Sequence, residues 1–191
     1  MHCLRTLVFI AIAGCQLYPD PAHARVYHGP AYGTHPTTIV ALPAQPADCS
    51  EEQCRAVATA ARMSLEVAGY TIVDAELVNA EMRRRTTTSN TDVHTAKRTE
   101  VEGKTWQDAS PAEQARLVDD IGAEGVLETA IVKSDGDHVY TRRFTVALTM
   151  RTVDGRVIWR SDCADEGGDT KDERQALESA TRCALESVML W

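Results

Sequence analysis

A strictly alternating stretch near the middle of the chain constrains the fold more than any other part of the sequence. Within residues 138–151, apolar side chains alternate with polar or small ones: Phe144, Val146, Leu148 and Met150 against Thr145, Ala147, Thr149 and Arg151. A period of two predicts a strand with one buried face and one polar face. Apolar runs at 125–132 and 157–162, joined to it through "KSDGD" and "VDGR", complete a predicted antiparallel meander.

A strand-helix-strand unit is predicted ahead of this meander. "TTIVAL" at 37–42 and "YTIVD" at 70–74 are β-branched runs typical of buried strands. Between them, an apolar stripe from Glu51 to Ala68 predicts a helix that ends at Gly69. A unit of this length predicts a right-handed crossover between parallel strands.

Three further helices follow from their end signals. The segment from Ala75 to Arg85 has basic residues in its last turn, as the helix dipole prefers. Capping boxes at 110–113 and 170–173 predict two more helix starts, the first with Pro at position N1. We therefore expect an α/β (α+β) two-layer sandwich in which helices pack mainly on one face of a mixed β-sheet, in the order β-α-β-α-α-β-β-β-α.

Residues 86–109 form a polar, threonine-rich insertion that predicts a long loop or an exposed hairpin. Together with the preceding helix end, this region has a local excess of positive charge. One interpretation is a helix terminus followed by a solvated loop. The other is a docking surface for an acidic partner or an anionic cell-wall polymer, with an aromatic anchor. Its candidate partner-binding residues are Arg84, Arg85, Lys97, Arg98 and Trp106, whereas Trp159 is expected in the core.

The N-terminus has the anatomy of an export signal. Residues 1–14 combine Arg5 with the apolar run "TLVFIAIAG", which is too short to span a bilayer. "IAGC" resembles the bacterial lipobox, and this predicts lipidation of Cys15 after removal of residues 1–14. The competing interpretation is cleavage after Ala24 by ordinary signal peptidase, which leaves a soluble periplasmic protein.

The lipobox interpretation divides the chain into three parts. Gln16 follows the cysteine, and a residue other than Asp there implies sorting to the outer membrane. Residues 15–36, rich in proline, are expected to be a lipidated tether that reaches roughly 65 Å at about 3.1 Å per residue. Residues 37–191 are expected to form a single α/β domain.

After export, four cysteines are left in an oxidising compartment, and they predict two disulfides. If Ser50 caps a helix, Cys49 and Cys54 occupy positions N′ and N4, which touch in a hydrophobic staple. Cys163 is then left with Cys183, and this pairing requires the loop "ADEGGD" to swing outward. The spacing does not match a zinc site, so we expect no metal.

Charge and motifs exclude several classes of function. The formal net charge of -8 argues against nucleic-acid binding, which needs a basic footprint. The chain contains no G-x-S-x-G, HExxH, P-loop or G-x-G-x-x-G sequence, so we expect neither catalysis nor a cofactor. His94 and His138 are the two histidines of the predicted domain, and both are interpreted as solvated residues.

Three stretches resemble a known group of proteins. "TIVALPAQPA", "LVDDIGAEGVLETAIV" and "RTVDGRVIWRSD" are similar to the opening strand, the helix-turn-strand and the last hairpin of periplasmic envelope lipoproteins and domains related to LpoB, the TolB N-terminal domain and the globular part of CsgG. In the last stretch, Asp154, Gly155 and Trp159 occupy the matching places. The resemblance implies a non-catalytic envelope domain, and LpoB-like activation of a peptidoglycan synthase is one form of such a role.

The expected function is therefore that of an outer-membrane-anchored periplasmic lipoprotein, a scaffold or regulator of a cell-envelope complex. Its expected partners are the membrane, through the lipid, and an envelope or peptidoglycan-associated protein. The alternative is a soluble periplasmic protein with an unrecognised small-molecule or hydrolytic site.

Overall fold

The computed structural model describes residues 24–44, 49–92, 97–101, 103–135, 142–167 and 172–189. In chain order, the elements are β1 (Arg25–His28), β2 (Thr38–Ala41), α1 (Glu51–Val67), β3 (Thr71–Asp74), α2 (Ala75–Thr86), β4 (Thr88–Asp92), β5 (Lys97–Val101), α3 (Pro111–Asp120), β6 (Gly125–Asp135), β7 (Arg142–Thr152), β8 (Val157–Gly167) and α4 (Glu173–Met189).

The strands form a mixed six-stranded sheet in the order β1-β8-β7-β6-β2-β3, and β4 and β5 form a separate antiparallel hairpin. Strand β2 runs parallel to β3 and β6, whereas β6, β7 and β8 form the antiparallel meander. The predicted α+β class with a mixed sheet is confirmed. The hairpin falls inside the segment predicted as a loop or an exposed hairpin.

The main core lies between the sheet and the two long helices, α1 and α4. The four alternating residues of β7 are completely buried there, with Leu127, Leu177 and Leu185 among their neighbours. At about 25 cal/mol per Å² of apolar surface, each of these side chains contributes roughly 1.5–3 kcal/mol to folding. The period-two pattern therefore identified the buried face correctly.

A second core on the opposite face corrects the expectation that helices pack mainly on one side. Helices α2 and α3 cover β3, β2 and the start of β6, and Val78, Met82, Leu117 and Val118 are buried there. The physical reason lies in β2, where Ile39 faces the first core and Val40 the second. A continuous apolar run is typical of a strand covered on both faces, whereas alternation is typical of one covered on a single face.

The segment predicted as a tether is folded from Arg25 onward, so residues 25–36 are not a free linker. Strand β1 pairs antiparallel with β8, from Arg25 opposite Asp162 to His28 opposite Trp159. The Ala31 amide continues this edge by donating a hydrogen bond to the Val157 carbonyl oxygen at 3.0 Å. The predicted signal peptide, 1–14, and Cys15 lie outside the described residues.

Both predicted disulfides are present. Cys49 pairs with Cys54 beside the Ser50–Gln53 capping box, and their Cα atoms are 5.6 Å apart. Cys163 pairs with Cys183, and Ala164 to Gly167, the described part of the predicted loop, continue β8. The four strand residues after Cys163 advance about 13 Å along β8, and the ten helical residues before Cys183 advance about 15 Å back along α4. These similar lengths bring Cys183, in the middle of α4, beside Cys163.

Helix α4 begins later than the predicted capping box at 170–173. Asp172 accepts a hydrogen bond from the Gln175 amide at 2.7 Å and is therefore the N-cap, whereas Thr170 lies outside the described residues. Asp is as good an N-cap as Thr because its carboxylate satisfies a free amide of the first turn. Within the described part of the chain, no helix is long and apolar enough to cross a membrane.

Candidate interaction surface

One half of the sheet has a face that no described helix covers. On strands β1, β8, β7 and β6, the side chains that point away from α1 and α4 form three rows across the sheet. We call this surface the open sheet face. Its rows are Tyr27, Arg160, Thr149 and Glu128; then Arg25, Asp162, Ala147 and Ala130; then Ala164, Thr145 and Val132.

Small side chains occupy the middle of the open sheet face. Ala130 is exposed, Ala147 and Ala164 are half-buried, and Val132 is 58% exposed. Charged groups surround them in paired form. An Arg25 guanidinium nitrogen lies 2.8 Å from the Asp162 carboxylate, and the same distance joins Arg151 to Glu128. The surface therefore combines small uncharged side chains on β7 and β6 with ion pairs beside them, and protein interfaces commonly combine such groups.

The open sheet face is too small to bind a single partner tightly. With neighbouring strands about 4.8 Å apart and successive rows about 6.8 Å apart, its footprint is roughly 400 Å². A standard protein interface buries about 800 Å² on each partner. A partner must therefore also contact flanking surface, or several weak contacts must act together.

Two of the predicted basic docking residues, Arg84 and Arg85, are paired with acidic residues. Arg84 and Arg85 both donate to the Glu81 carboxylate at 2.7 Å, and Arg85 also pairs with Asp120. These hydrogen bonds lower the pKa of Glu81 to about 2. Lys97 and Arg98 lie on strand β5. The charges of Arg84 and Arg85 are therefore offset in the folded protein.

Trp106 is not an exposed anchor, and this prediction is wrong. The residue is only 7% exposed and packs in the second core. Its amide donates to the Asn79 side chain at 3.0 Å, and its carbonyl oxygen accepts from the Gln114 side chain at 2.7 Å. These bonds connect it to α2 and α3. The local pattern does not indicate this, because Trp106 lies four residues ahead of the Ser110 N-cap and not at the N′ position that a hydrophobic staple uses.

A cavity of about 240 Å³ lies where β2 and β3 end. Its floor is apolar, and Arg55 and Arg62 stand at its rim, each paired with a glutamate of its own helix. We find no set of three metal-ligating side chains within the described ranges. His94 and His138 lie outside those ranges.

Comparison with known proteins supports the fold. No protein-family model and no curated relative match the chain. The PelC dodecamer from Paraburkholderia phytofirmans has a TM-score of 0.53 at 14% identity and covers 88% of this chain and 97% of its own. A point variant of that dodecamer has a TM-score of 0.56 at 12% identity, covering 88% and 98%.

A third solved structure is lipoprotein GNA1162 from Neisseria meningitidis. Its TM-score is 0.50 at 14% identity, with 82% of this chain and all of that chain covered (100%). At such low identity the similarity establishes a shared fold. The fold of this chain is thus one that a lipoprotein also adopts, which agrees with the resemblance to envelope lipoproteins at that coarse level.

Proposed function

We propose that this protein is an outer-membrane lipoprotein whose periplasmic domain is a non-enzymatic subunit, a scaffold or regulator, of a cell-envelope protein complex. The observation that carries the proposal is the combination of the "IAGC" motif with a fold shared, over 82% of the chain, with a lipoprotein. Several acyl chains on Cys15 provide stable anchoring, because a single chain binds membranes only marginally.

The anchor is tested by mass spectrometry of the mature N-terminus and by membrane fractionation. We expect acyl masses on Cys15 and recovery of the protein in the outer-membrane fraction. The Cys15→Ser variant should lose both. An unmodified wild-type chain that starts at Arg25, the first residue of β1, would contradict the proposal and support the soluble alternative.

The open sheet face is the surface through which we expect the subunit to assemble, and another copy of the chain is the partner we favour. PelC, which shares the fold, is a dodecamer. A footprint of roughly half a standard interface also suits a ring or array, in which many weak contacts act together.

The assembly is tested by light scattering on the purified lipidated protein in detergent. We expect a multiple of the mass of one mature lipidated chain, which starts at Cys15. Ala147→Arg should reduce the measured mass towards that of one chain, because a long charged side chain then lies in the centre of the interface. Ala112→Arg, on the exposed start of α3, is the matched control. A wild-type protein that is a single chain would exclude self-assembly.

A partner of different sequence is tested by pull-down from solubilised membranes. The informative deletion removes only the hairpin, residues 88–101, because a deletion that included Trp106 would also remove part of the second core. Loss of a specific partner with the deletion would assign docking to the hairpin. Loss with Ala147→Arg would assign it to the open sheet face.

A further inference from the structure

The chain between the proposed lipid anchor and the folded domain is short, so the side of the domain that follows it is held close to the membrane. This inference rests on the lipidation of Cys15 proposed above. Strand β1 begins at Arg25, ten residues after Cys15. At no more than about 3.5 Å per residue, those ten residues span at most roughly 35 Å.

The diameter of the domain is larger than the distance that these ten residues can span. A compact domain of about 165 residues has a radius of gyration near 15 Å and hence a diameter of roughly 39 Å. Strand β1 forms one edge of the sheet and β3 the opposite edge. Arg25 therefore lies no more than roughly 35 Å from the bilayer, and the β1 side is the side that the anchor brings closest to lipid, whereas the β3 side, with α2, is the farthest from the anchor.

Two exposed tyrosines lie on this membrane-proximal side. Among the described residues, six large apolar side chains are strongly exposed, and two of them follow the tether directly: Tyr27 at 59% and Tyr32 at 55%. The Tyr32 ring packs against the ring of His28 with centroids 3.9 Å apart. Tyrosine suits the boundary of a bilayer, because its ring is apolar and its hydroxyl group stays hydrated.

The charge of the same side suits phospholipid headgroups. No Asp or Glu occurs between residues 21 and 47, although the whole chain has a net charge of -8. The Arg25 side chain is 81% exposed even while paired with Asp162, and Arg160, opposite Tyr27 on β8, is also exposed. Basic groups near an anionic lipid surface are attracted to it.

We propose that Arg25, Tyr27, Tyr32 and Arg160, together the β1 edge, form a membrane-contact surface that rests on anionic phospholipid headgroups. The tether supplies the proximity, the tyrosines enter the headgroup layer and the arginines pair with phosphates. Arg25, Tyr27 and Arg160 also belong to the open sheet face, so the β1 end of that face rests on the membrane. Its β7 and β6 part, around Ala147 and Ala130, stays accessible to a protein partner.

The test is hydroxyl-radical footprinting, read by mass spectrometry, of the mature lipidated protein in vesicles of phosphatidylethanolamine and phosphatidylglycerol. Compared with the Cys15→Ser protein in solution, we expect labelling of Tyr27 and Tyr32 to fall roughly threefold. Met63 and Leu77, exposed on α1 and α2, are internal controls whose labelling should not change. Arg25→Glu should restore tyrosine labelling on these vesicles, whereas Arg62→Glu on α1 should not.

Each other outcome has a defined meaning. Unchanged tyrosine labelling in protein whose lipid is verified by mass would overturn the membrane contact and leave the anchor intact. Absence of lipid on Cys15 would instead overturn the proposed function itself. Protection of both tyrosines in the soluble Cys15→Ser protein, rising with protein concentration and without vesicles, would assign the β1 edge to a second copy and overturn the proposal.

Discussion

Trp106 shows how a single residue in a polar segment can be structural. Its side chain is buried in the second core, in the same cluster as Met82 and Val118. Its backbone bonds to Asn79 and Gln114 hold those two helices in place. The side chain is therefore needed for folding and is not available to a partner.

We expect Trp106→Ala to lower the free energy of unfolding by about 3–5 kcal/mol, because it removes a large buried side chain and leaves a cavity. Trp106→Phe should cost less, since it keeps most of the packed volume. Arg84→Ala changes an exposed ion pair and should stay within about 0.5 kcal/mol of wild type. Urea unfolding measures all three. A Trp106→Ala protein as stable as wild type would contradict the core assignment.

Glu113 links the insertion to α3 and makes stability depend on acid pH. Its carboxylate accepts from Lys104 Nζ at 2.9 and 3.1 Å and from the Ser110 amide at 2.7 Å. The Lys104 bond is the largest of the causes that lower the pKa of Glu113 from 4.5 to about 2. The unfolded chain then binds more protons than the folded one between these values, so stability is present above pH 4.5 and falls as the pH approaches 2.

Replacing this carboxylate should therefore flatten the acid side of the stability profile. Glu113→Gln has no proton to take up, so its free energy of unfolding should decrease less steeply than that of wild type from pH 4.5 to 2.5. Urea unfolding at several pH values in this window measures the slope. Glu52→Gln, also in the first turn of a helix, is the matched control. Equal slopes for Glu113→Gln and wild type would show that the Lys104 contact is absent in solution.

At the scale of elements, the sequence predicted those features that depend on contacts between residues close together in the chain. Capping residues Ser50 and Ser110 mark helix starts through bonds only three residues long, so both were predictable. Strand β1 was not, because its four residues have no pattern of their own and are held by a partner more than 130 residues away. β-propensity reflects such neighbours more than intrinsic preference.

The open sheet face was predictable only in part, for the same reason. The alternation in β7 predicted that Ala147 faces away from the main core. The sequence did not predict that β1 would extend this face, or that Trp106 and the short helices would cover its other half. These outcomes depend on which strands become neighbours, and sheet order is a property of the whole chain.

The two disulfides should contribute unequally to stability. Cys49 and Cys54 are 5 residues apart, whereas Cys163 and Cys183 are 20 apart and join β8 to α4. Loop-closure entropy gives about 2 kcal/mol for the first and about 3 kcal/mol for the second. We expect Cys163→Ala with Cys183→Ala to lower the midpoint of thermal unfolding more than Cys49→Ala with Cys54→Ala. A larger decrease of the midpoint for Cys49→Ala with Cys54→Ala would show that the disulfide at α1 stabilises more of the structure than the first turn of that helix.

At the scale of the whole molecule, the length of the tether sets how strongly the β1 edge is held to the bilayer. A tether of ten residues keeps the domain at a high effective concentration near the lipid, and this concentration falls roughly as the −3/2 power of tether length. A weak contact through two tyrosines and two arginines then depends on the short tether. The anchor and the β1 edge should therefore act together.

Inserting 20 Gly/Ser residues after Pro21 triples the tether and should lower the effective concentration about fivefold. We expect radical labelling of Tyr27 and Tyr32 on vesicles to rise towards the level of the soluble protein, while Cys15 stays lipidated and the protein stays in the membrane fraction. The same insert placed after Trp191 adds equal mass without lengthening the tether and should leave labelling unchanged. Persistent protection with the long tether would mean that the β1 edge binds lipid strongly by itself, and then the purified Cys15→Ser protein should sediment with the same vesicles.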